Sequence, residues 1–486
     1  MQRRPSKRKQ ATRLFLVYSF MTSTVIVTVT VLMLLILGYS FNRTDNRIEQ
    51  GGLLQFASQP SGATVTLDEL RLGAQTPSKS TADAKSHTAT MNLTGYRTWR
   101  KTIDLSAGMI GWLSYARLIP TDPVATKLHT LPTLAGSLAS PGRKWMALVE
   151  DAAQPVVVLA DLSNDTVTYT TLTIPATKFT APAEGKTQTF HLESWSNDEQ
   201  RLLVKHTYDD NKIEWLVVDR GDITKTHNVT VELGLESDKV LFGSGNGQLL
   251  YAKTGDIVRR LDLGNLTLTR PLVSNVDDFS LYKFTTILYT TKPDPTTKLR
   301  TIGYLQDNMD TSEKLGSYPD DGQPLHLAMG DYFDVRYLAV THGTQLTVSS
   351  GTLPRGAQKS TMKSLAATTL TGPAEQLTIG STGRFVVAQV GSTYTTYDIE
   401  LQKTDTTTLK GTATTSTLLG WIDPFMPWSD HDGMLRLYEF DGANQQDITP
   451  VAEGFDVTLS PNEKYLYSIA HEGTGFALQR VQLILK

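Results

Sequence analysis

One pattern recurs about every 46 residues from residue 124 onward, and it constrains the fold more than any other feature. Each unit has a short strand ending in a polar turn, two apolar strands joined by a hairpin, and a threonine-rich strand. The five clearest polar turns are at residues 140–143, 196–199, 244–247, 381–384 and 460–463. Three weaker turns, near Asp278, Asp331 and Asp423, bring the number of units to eight. Four-stranded units of this length are typical of propeller blades, so the sequence predicts a seven- or eight-bladed β-propeller over residues 124–486.

The strands of one unit can be paired directly from the sequence. Residues 145–149 and 156–160 are both apolar and are separated by a polar hairpin. No stretch after residue 120 has a sustained 3.6-residue apolar period, which argues against helices. The last unit ends after its third strand, whereas residues 124–131 form a spare strand before the first unit. We therefore expect residues 124–131 to close the ring as the missing outer strand.

Parts of this repeat resemble the TolB-type, WD40-like propeller repeat. The resemblance lies in residues 435–449 and 458–465, the latter containing Ser460-Pro461-Asn462-Glu463, and in the turn at Glu193-Ser194-Trp195-Ser196-Asn197-Asp198. It implies a propeller and is hardly specific for function.

An uncharged apolar run extends from Leu14 to Tyr39. About 20 helical residues span the hydrocarbon core of a bilayer, so this run predicts a transmembrane helix over residues 14–40. It is longer than the apolar part of a secretory signal and lacks a small-residue cleavage site, which favours an uncleaved anchor. The first 13 residues contain six cations and no acid, which places this tail in the cytoplasm and the bulk of the chain outside. Residues 41–52 read as a linker.

Residues 53–120 alternate between short strands and turns. Pro60-Ser61-Gly62-Ala63, Gly73, Thr76-Pro77 and Gly95-Tyr96 resemble the PEGA domain, a small β-sandwich-like module of bacterial and archaeal surface proteins. Asp68-Glu69 stands where that family commonly has Asp-Gly, which leaves the turn type of the first hairpin open. The resemblance implies a surface location and a spacer or interaction role, and it transfers no catalytic residue.

Cysteine content and charge exclude several classes of function. The chain has no cysteine, which rules out disulfides, thiolate metal sites and a cysteine nucleophile, and fits a bacterial envelope protein. Its net charge is −3, and because the tail is strongly basic, the rest of the chain is acidic. An acidic domain is not typical of nucleic-acid binders, so we expect no nucleic-acid partner.

No motif in the sequence indicates catalysis or a bound metal. The nine histidines are scattered, without the helical His-Glu pattern of zinc proteases, and no Gly-x-Ser-x-Gly elbow or glycine-rich phosphate loop is present. We therefore expect no cofactor, no metal site and no catalytic residue. A glycosidase with paired carboxylates stays open, because propeller glycosidases draw their acids from separate blades.

The candidate binding residues are Trp421, Trp428, Asp430, His431 and Asp432. Two tryptophans beside acids and a histidine suit sugar stacking with hydroxyl hydrogen bonds, or a protein hot spot. The alternative is structural: Ser429 to Gly433 form a hairpin turn, and Trp421 ends an inner strand. Trp195 and Trp215 are expected in the blade core.

These features predict a mainly β, membrane-anchored, extracytoplasmic protein of the cell envelope. The favoured function is non-catalytic binding or scaffolding, in which the propeller recognises a protein or a cell-wall polysaccharide. The alternative is an envelope enzyme that processes glycans with acids at the central channel. Fold analogy does not separate the two, because propellers serve both.

Overall fold

The computed structural model describes residues 7–36, 39–42, 47–412 and 419–485. Part of the predicted basic tail, including Arg3 and Arg4, and residues 43–46 of the predicted linker lie outside these ranges. The chain divides into two compact units, residues 1–122 with 484–486, and residues 123–483.

The first unit begins with helix α1 (Lys7–Ile36). Among the described residues, it is the one helix long and apolar enough to cross a membrane, over Ala11–Leu34. Its apolar side chains, such as Phe15 and Phe20, are exposed rather than packed against protein. A helix of this kind needs an apolar environment to cover it.

A small β domain follows the helix. A hairpin, β1 (Tyr39–Asn42) and β2 (Arg47–Gln50), precedes it. One sheet has the order β6-β3-β9, with β3 and β9 parallel, and the other has the order β5-β4-β7-β8. The strands are β3 (Gly52–Gln59), β4 (Thr64–Leu67), β5 (Leu70–Gln75), β6 (Ser78–Ala82), β7 (Ser86–Asn92), β8 (Trp99–Asp104) and β9 (Ile110–Arg117).

Alternating apolar residues produce the core of this domain. Every second residue of β3 is buried, and Leu54 and Phe56 pack with Met91, Trp99 and Leu113. The β4–β5 hairpin turns at residues 68–69, both with positive φ (47° and 72°), which is a type I′ turn. The departure from Asp-Gly therefore leaves the turn type unchanged.

The second unit is a β-propeller. Its described residues form eight four-stranded antiparallel sheets, here called blades one to eight. Blades one to four are β11–β14 (Gly136–Ala139, Trp145–Val149, Val156–Asp161, Thr168–Thr173), β15–β18 (Gln188–Trp195, Arg201–Tyr208, Lys212–Asp219, His227–Asn228), β19–β22 (Lys239–Phe242, Leu249–Thr254, Ile257–Asp262, Thr267–Leu268) and β23–β26 (Val276–Tyr282, Thr286–Thr291, Leu299–Gln306, Glu313–Pro319).

Blades five to seven continue the same order. They are β27–β30 (Leu325–Tyr332, Val335–His342, Gln345–Ser350, Lys363–Thr369), β31–β34 (Gln376–Ile379, Phe385–Val390, Thr393–Asp398, Lys403–Thr408) and β35–β38 (Gly420–Asp423, Met426–Ser429, Met434–Leu437, Gln446–Pro450). Blade eight combines β39 (Thr458–Leu459), β40 (Tyr465–Glu472) and β41 (Gly475–Gln482) with β10 (Ala125–Leu131), which pairs with β41 as the outer strand. Short helices, α2 (Val229–Leu233) and the 3-10 turns Ala176–Lys178, Ile223–Lys225 and His431–Gly433, lie between strands.

The core of the propeller lies between blades. Leu131 and Met146 pack with Tyr467 and Leu478 between blades eight and one. Equivalent apolar clusters join blades one to two, two to three, three to four, four to five and five to six. Trp195 and Trp215 belong to two of these clusters, as the sequence predicted.

The polar turns of the repeat join the first and second strands of each blade, and we call them inner turns. Ser140, Ser196 and Ser460 open three of them, and each hydroxyl accepts the N–H five residues later at 2.9–3.0 Å. In blade six, Gly380 takes this place, since its N–H donates to Phe385 O as that of Ser140 donates to Trp145 O. The predicted turn at residues 381–384 therefore begins one residue later than the position that corresponds to Ser140.

Blades four and five turn differently from the others. Asp278 and Asp331, near which turns were predicted, lie within strands β23 and β27. The chain reverses instead at residues 283–284 and 333–334, where all four residues have positive φ, as in type I′ turns. These two turns lack the serine motif, which is why the repeat was hard to recognise in these two units of the sequence.

Candidate functional site

The inner strands of blades one, six, seven and eight surround a cavity of about 530 Å³. This volume is within the range of sites for small molecules. Both Trp421 and Trp428 line it, so we call it the indole cavity. Its polar lining includes Ser140, Arg143, Gln376, Thr378, Ser381, Asp423, Asp456 and Thr458.

Blade seven positions the two tryptophans. Trp421 lies on β35 and Trp428 on β36, where Trp428 pairs with Gly420 in the antiparallel register. The Trp428 ring crosses Gly420 so closely that a Cβ added at residue 420 would be 2.3 Å from the indole. A glycine is therefore required at residue 420 for Trp428 to keep this position.

Trp421 and Trp428 differ from the core tryptophans in the hydrogen bonding of their indole N–H groups. Trp195 donates to Leu138 O at 3.1 Å and Trp215 donates to Ser237 O at 2.9 Å. Within the part of the chain that the structure describes, the indole N–H of neither Trp421 nor Trp428 donates a hydrogen bond, and both residues are half-buried. Their N–H groups remain available to a ligand.

Two carboxylates share the cavity with the tryptophans. Asp423 Oδ1 accepts the N–H of Phe425 at 2.8 Å. Asp456 lies at the entry to β39, where its Oδ2 accepts the N–H of Ala139 at 2.8 Å and its own N–H donates to Ser137 Oγ at 2.8 Å. Burial raises the pKa of the Asp456 carboxyl, and the single N–H bond only partly opposes that shift.

The positive charge at the cavity is already paired. Arg143 lines the wall, and its Nη1 is 3.4 Å from Glu463 Oε1 on the neighbouring inner turn. A ligand with a hydroxyl or amide donor would therefore meet two carboxylate acceptors in this cavity, Asp423 and Asp456. The Arg143 cation is already paired with Glu463.

The other three candidate residues do not line the indole cavity. Asp430 is buried and its Oδ2 accepts the N–H of Gly454 at 2.7 Å. His431 is buried and its carbonyl accepts from Arg436 at 2.8 Å, while its Nδ1 has no hydrogen-bond partner among the described residues. Asp432 is exposed and accepts the N–H of Thr412 at 2.9 Å. These contacts hold the hairpin turn of blade seven, so the five predicted residues do not form one cluster.

Sequence reasoning missed Asp456 as a partner of the tryptophans. It lies in the next blade, and an aspartate in a loop carries no signal of its own. The repeat register could have found it, because Asp456 stands four residues before Ser460 at the start of an inner strand.

Among the residues that the structure describes, no group of three or more histidine, aspartate or glutamate side chains is arranged to hold a metal ion.

Comparisons with known proteins identify one segment of the chain. The solved structures that resemble the chain include an oligogalacturonate lyase in complex with manganese, with 12% identity, a TM-score of 0.40, and coverage of 73% of this chain and 99% of that one. An oligogalacturonate lyase from Vibrio parahaemolyticus has 9% identity, a TM-score of 0.39 and coverage of 74% and 98%. The tricorn protease has 11% identity, a TM-score of 0.40 and coverage of 74% and 38%.

Likeness at this level of identity carries no information about activity. No curated protein matches the sequence. Residues 52–117 match the PEGA domain, so the chain carries a PEGA domain followed by a β-propeller.

Proposed function

We propose that this is a membrane-anchored, extracytoplasmic binding protein whose propeller recognises a carbohydrate of the cell envelope in the indole cavity. The observation that carries the proposal is the joint placement of Trp421, Trp428, Asp423 and Asp456 on one cavity. Recognition of a protein by the same ring is the competing binding function.

The chemistry of the cavity suits a sugar. Indole rings offer flat apolar faces to the C–H face of a pyranose, and their free N–H groups donate to hydroxyls. The Asp423 and Asp456 carboxylates accept hydrogen bonds from hydroxyls, and such charge-assisted bonds are stronger than neutral ones. Ser381 and Thr378 add further hydroxyls from blade six.

The remaining parts of the chain suit a tethered receptor. Helix α1 is long enough to anchor the protein, and the PEGA domain is a module of surface proteins that would serve as a spacer.

Binding of the full-length protein, in detergent micelles, to a panel of immobilised glycans tests the proposal. We expect salt-resistant binding that the Trp421→Ala/Trp428→Ala double variant weakens by about tenfold or more. Trp112→Ala is the matched control, because Trp112 is a 40% exposed tryptophan in the PEGA domain. Binding to no glycan, or equal loss in the control, would contradict the proposal and favour a protein partner.

A glycan-processing enzyme is the second candidate, and the carboxylates favour it. Glycosidases use two carboxyl groups on one cavity, of which the general acid has a raised pKa. Asp423 and Asp456 share the cavity, and burial raises the pKa of Asp456. Release of soluble fragments from a bound glycan by the wild type, with retained binding but no release by Asp456→Asn, would favour the enzyme.

A further inference from the structure

A second cavity, of about 510 Å³, lies beside the indole cavity at the inner strands of blades four, five and six. Tyr282 and Phe284 contribute aromatic rings to its wall, and Met329 contributes an apolar side chain. We call it the Tyr282 cavity. None of its lining residues was predicted as a binding residue.

The two cavities share one wall. Ile379, Gly380 and Ser381, at the end of β31, line both of them. Gly380 replaces the serine that opens the inner turns of blades one, two and eight, so the shared wall has no side chain at this position. Both cavities therefore open on the same few residues at the inner-turn end of the propeller.

One carboxylate at the Tyr282 cavity is shared by two cations. Lys283 Nζ lies 2.9 Å from Asp331 Oδ2, and Asp331 also pairs with Arg336. These partners hold the pKa of Asp331 well below its usual range, so its carboxylate stays ionised. The two ion pairs fix the Asp331 side chain at the wall of the Tyr282 cavity.

From this geometry we infer that the two cavities form one groove and that its ligand is a linear oligosaccharide rather than a single sugar. The inference rests on the proposed function and deepens it. One end of the chain stacks in the indole cavity, the chain passes over the wall at 379–381, and further sugars contact Tyr282 and Phe284. Aromatic rings at both ends and hydroxyl-bonding groups between them match a repeating polymer better than a compact ligand.

Chain-length dependence tests the groove. Cello-, chito- and xylo-oligosaccharides of two to six residues are titrated into the full-length protein in micelles, with tryptophan fluorescence as the readout. We expect one series to bind, with affinity rising at least about tenfold from the dimer to the hexamer.

Phe284→Ala removes an aromatic ring from the Tyr282 cavity and provides the decisive variant, because Phe284 lines that cavity and not the indole cavity. It should lower hexamer affinity to that of the dimer and leave dimer affinity unchanged. Phe333→Ala, at an 81% exposed phenylalanine in the corresponding turn of blade five that lines neither cavity, is the matched control and should keep the length dependence. A far-ultraviolet circular dichroism spectrum shows whether each variant is folded.

The outcomes separate this inference from the proposed function. Equal affinity for dimer and hexamer, or a length dependence that survives Phe284→Ala, would overturn the groove while leaving sugar binding in place. Binding on the glycan panel without binding of any linear series would also overturn it. Binding to no glycan at all would overturn both.

Discussion

The hydroxyl of Ser140 donates a hydrogen bond of 2.8 Å to the carboxylate of Glu199, which ties the inner turn of blade one to that of blade two. The same carboxylate accepts the N–H of Gly142. Comparable contacts join Arg143 to Glu463, Arg201 to the carbonyl of Asn246, and Lys283 to Asp331. The polar turns that make the repeat visible thus also connect adjacent blades.

Replacing Glu199 tests this connection. Glu199→Ala should lower the free energy of unfolding by about 1–3 kcal/mol, because Ser140 and Gly142 lose a buried acceptor. Urea unfolding followed by tryptophan fluorescence measures the change. Glu236→Ala, at an exposed site, is the control, and an equal effect in both variants would show that the contact adds nothing.

Gly420→Ala should damage the indole cavity without unfolding the propeller. The new Cβ would meet the Trp428 ring at 2.3 Å and displace it, so glycan binding should fall by about tenfold. Gly136→Ala is the matched control, since residue 136 is also on an inner strand and a Cβ there has open space. Unchanged glycan affinity in Gly420→Ala would mean that Trp428 does not contact the sugar.

Asp456 should make the propeller less stable at neutral pH than at acidic pH. Its pKa is raised in the folded state, so the fold disfavours the ionised form, and the stability linked to this group falls as pH rises through the folded pKa. Asp456→Asn keeps the size of the side chain and removes the charge. The thermal midpoint of this variant should exceed that of the wild type at pH 7, and the difference should shrink towards pH 4. A wild type that is the more stable protein at pH 7 would contradict the assignment.

The outer strand of blade eight should be essential to the ring. Leu131, on β10, is fully buried between blades eight and one, so Leu131→Ala should cost about 2–5 kcal/mol of unfolding free energy. Leu266→Ala, at a 48% exposed site, should cost little. Urea unfolding checks both, and equal costs would show that closure of the ring contributes no stability.

The absence of cysteine allows a direct test of membrane topology. A cysteine at Ser106, an exposed residue of the PEGA domain, should react with a membrane-impermeant maleimide on intact cells whose outer membrane, if present, has been permeabilised. A cysteine at Ser6 should not react, because the cations beside it hold the tail inside. The reverse pattern would overturn the proposed orientation.

The sequence was sufficient for the fold class but not for every turn. Apolar strands and serine turns predicted the propeller because burial between blades and turn chemistry both leave local signals. The repeat was hard to recognise in blades four and five because Lys283-Phe284 and Phe333-Asp334 adopt left-handed turns without the usual glycine or asparagine. Such turns are imposed by the surrounding sheet and cannot be read from propensity.

The candidate site could be predicted only in part. Trp421 and Trp428 were singled out because large aromatic rings beside polar residues are unusual, and both line the indole cavity. Asp430, His431 and Asp432 were grouped with them by proximity in sequence, whereas all three lie at a hairpin turn and none lines the cavity. Asp456 and Ser381 come from other blades, and only the closed ring brings them to the same cavity.

The pairing of β10 with β41 also sets a delay during synthesis. About 350 residues separate these strands, and at roughly 5–20 residues per second the first is made about 20–70 s before the second. During that time Leu131 and Met146 have no Tyr467 or Leu478 to cover them. The growing chain therefore carries an open sheet edge and an uncovered apolar surface until its last blade emerges, which makes it a substrate for chaperones on whichever side of a membrane it folds.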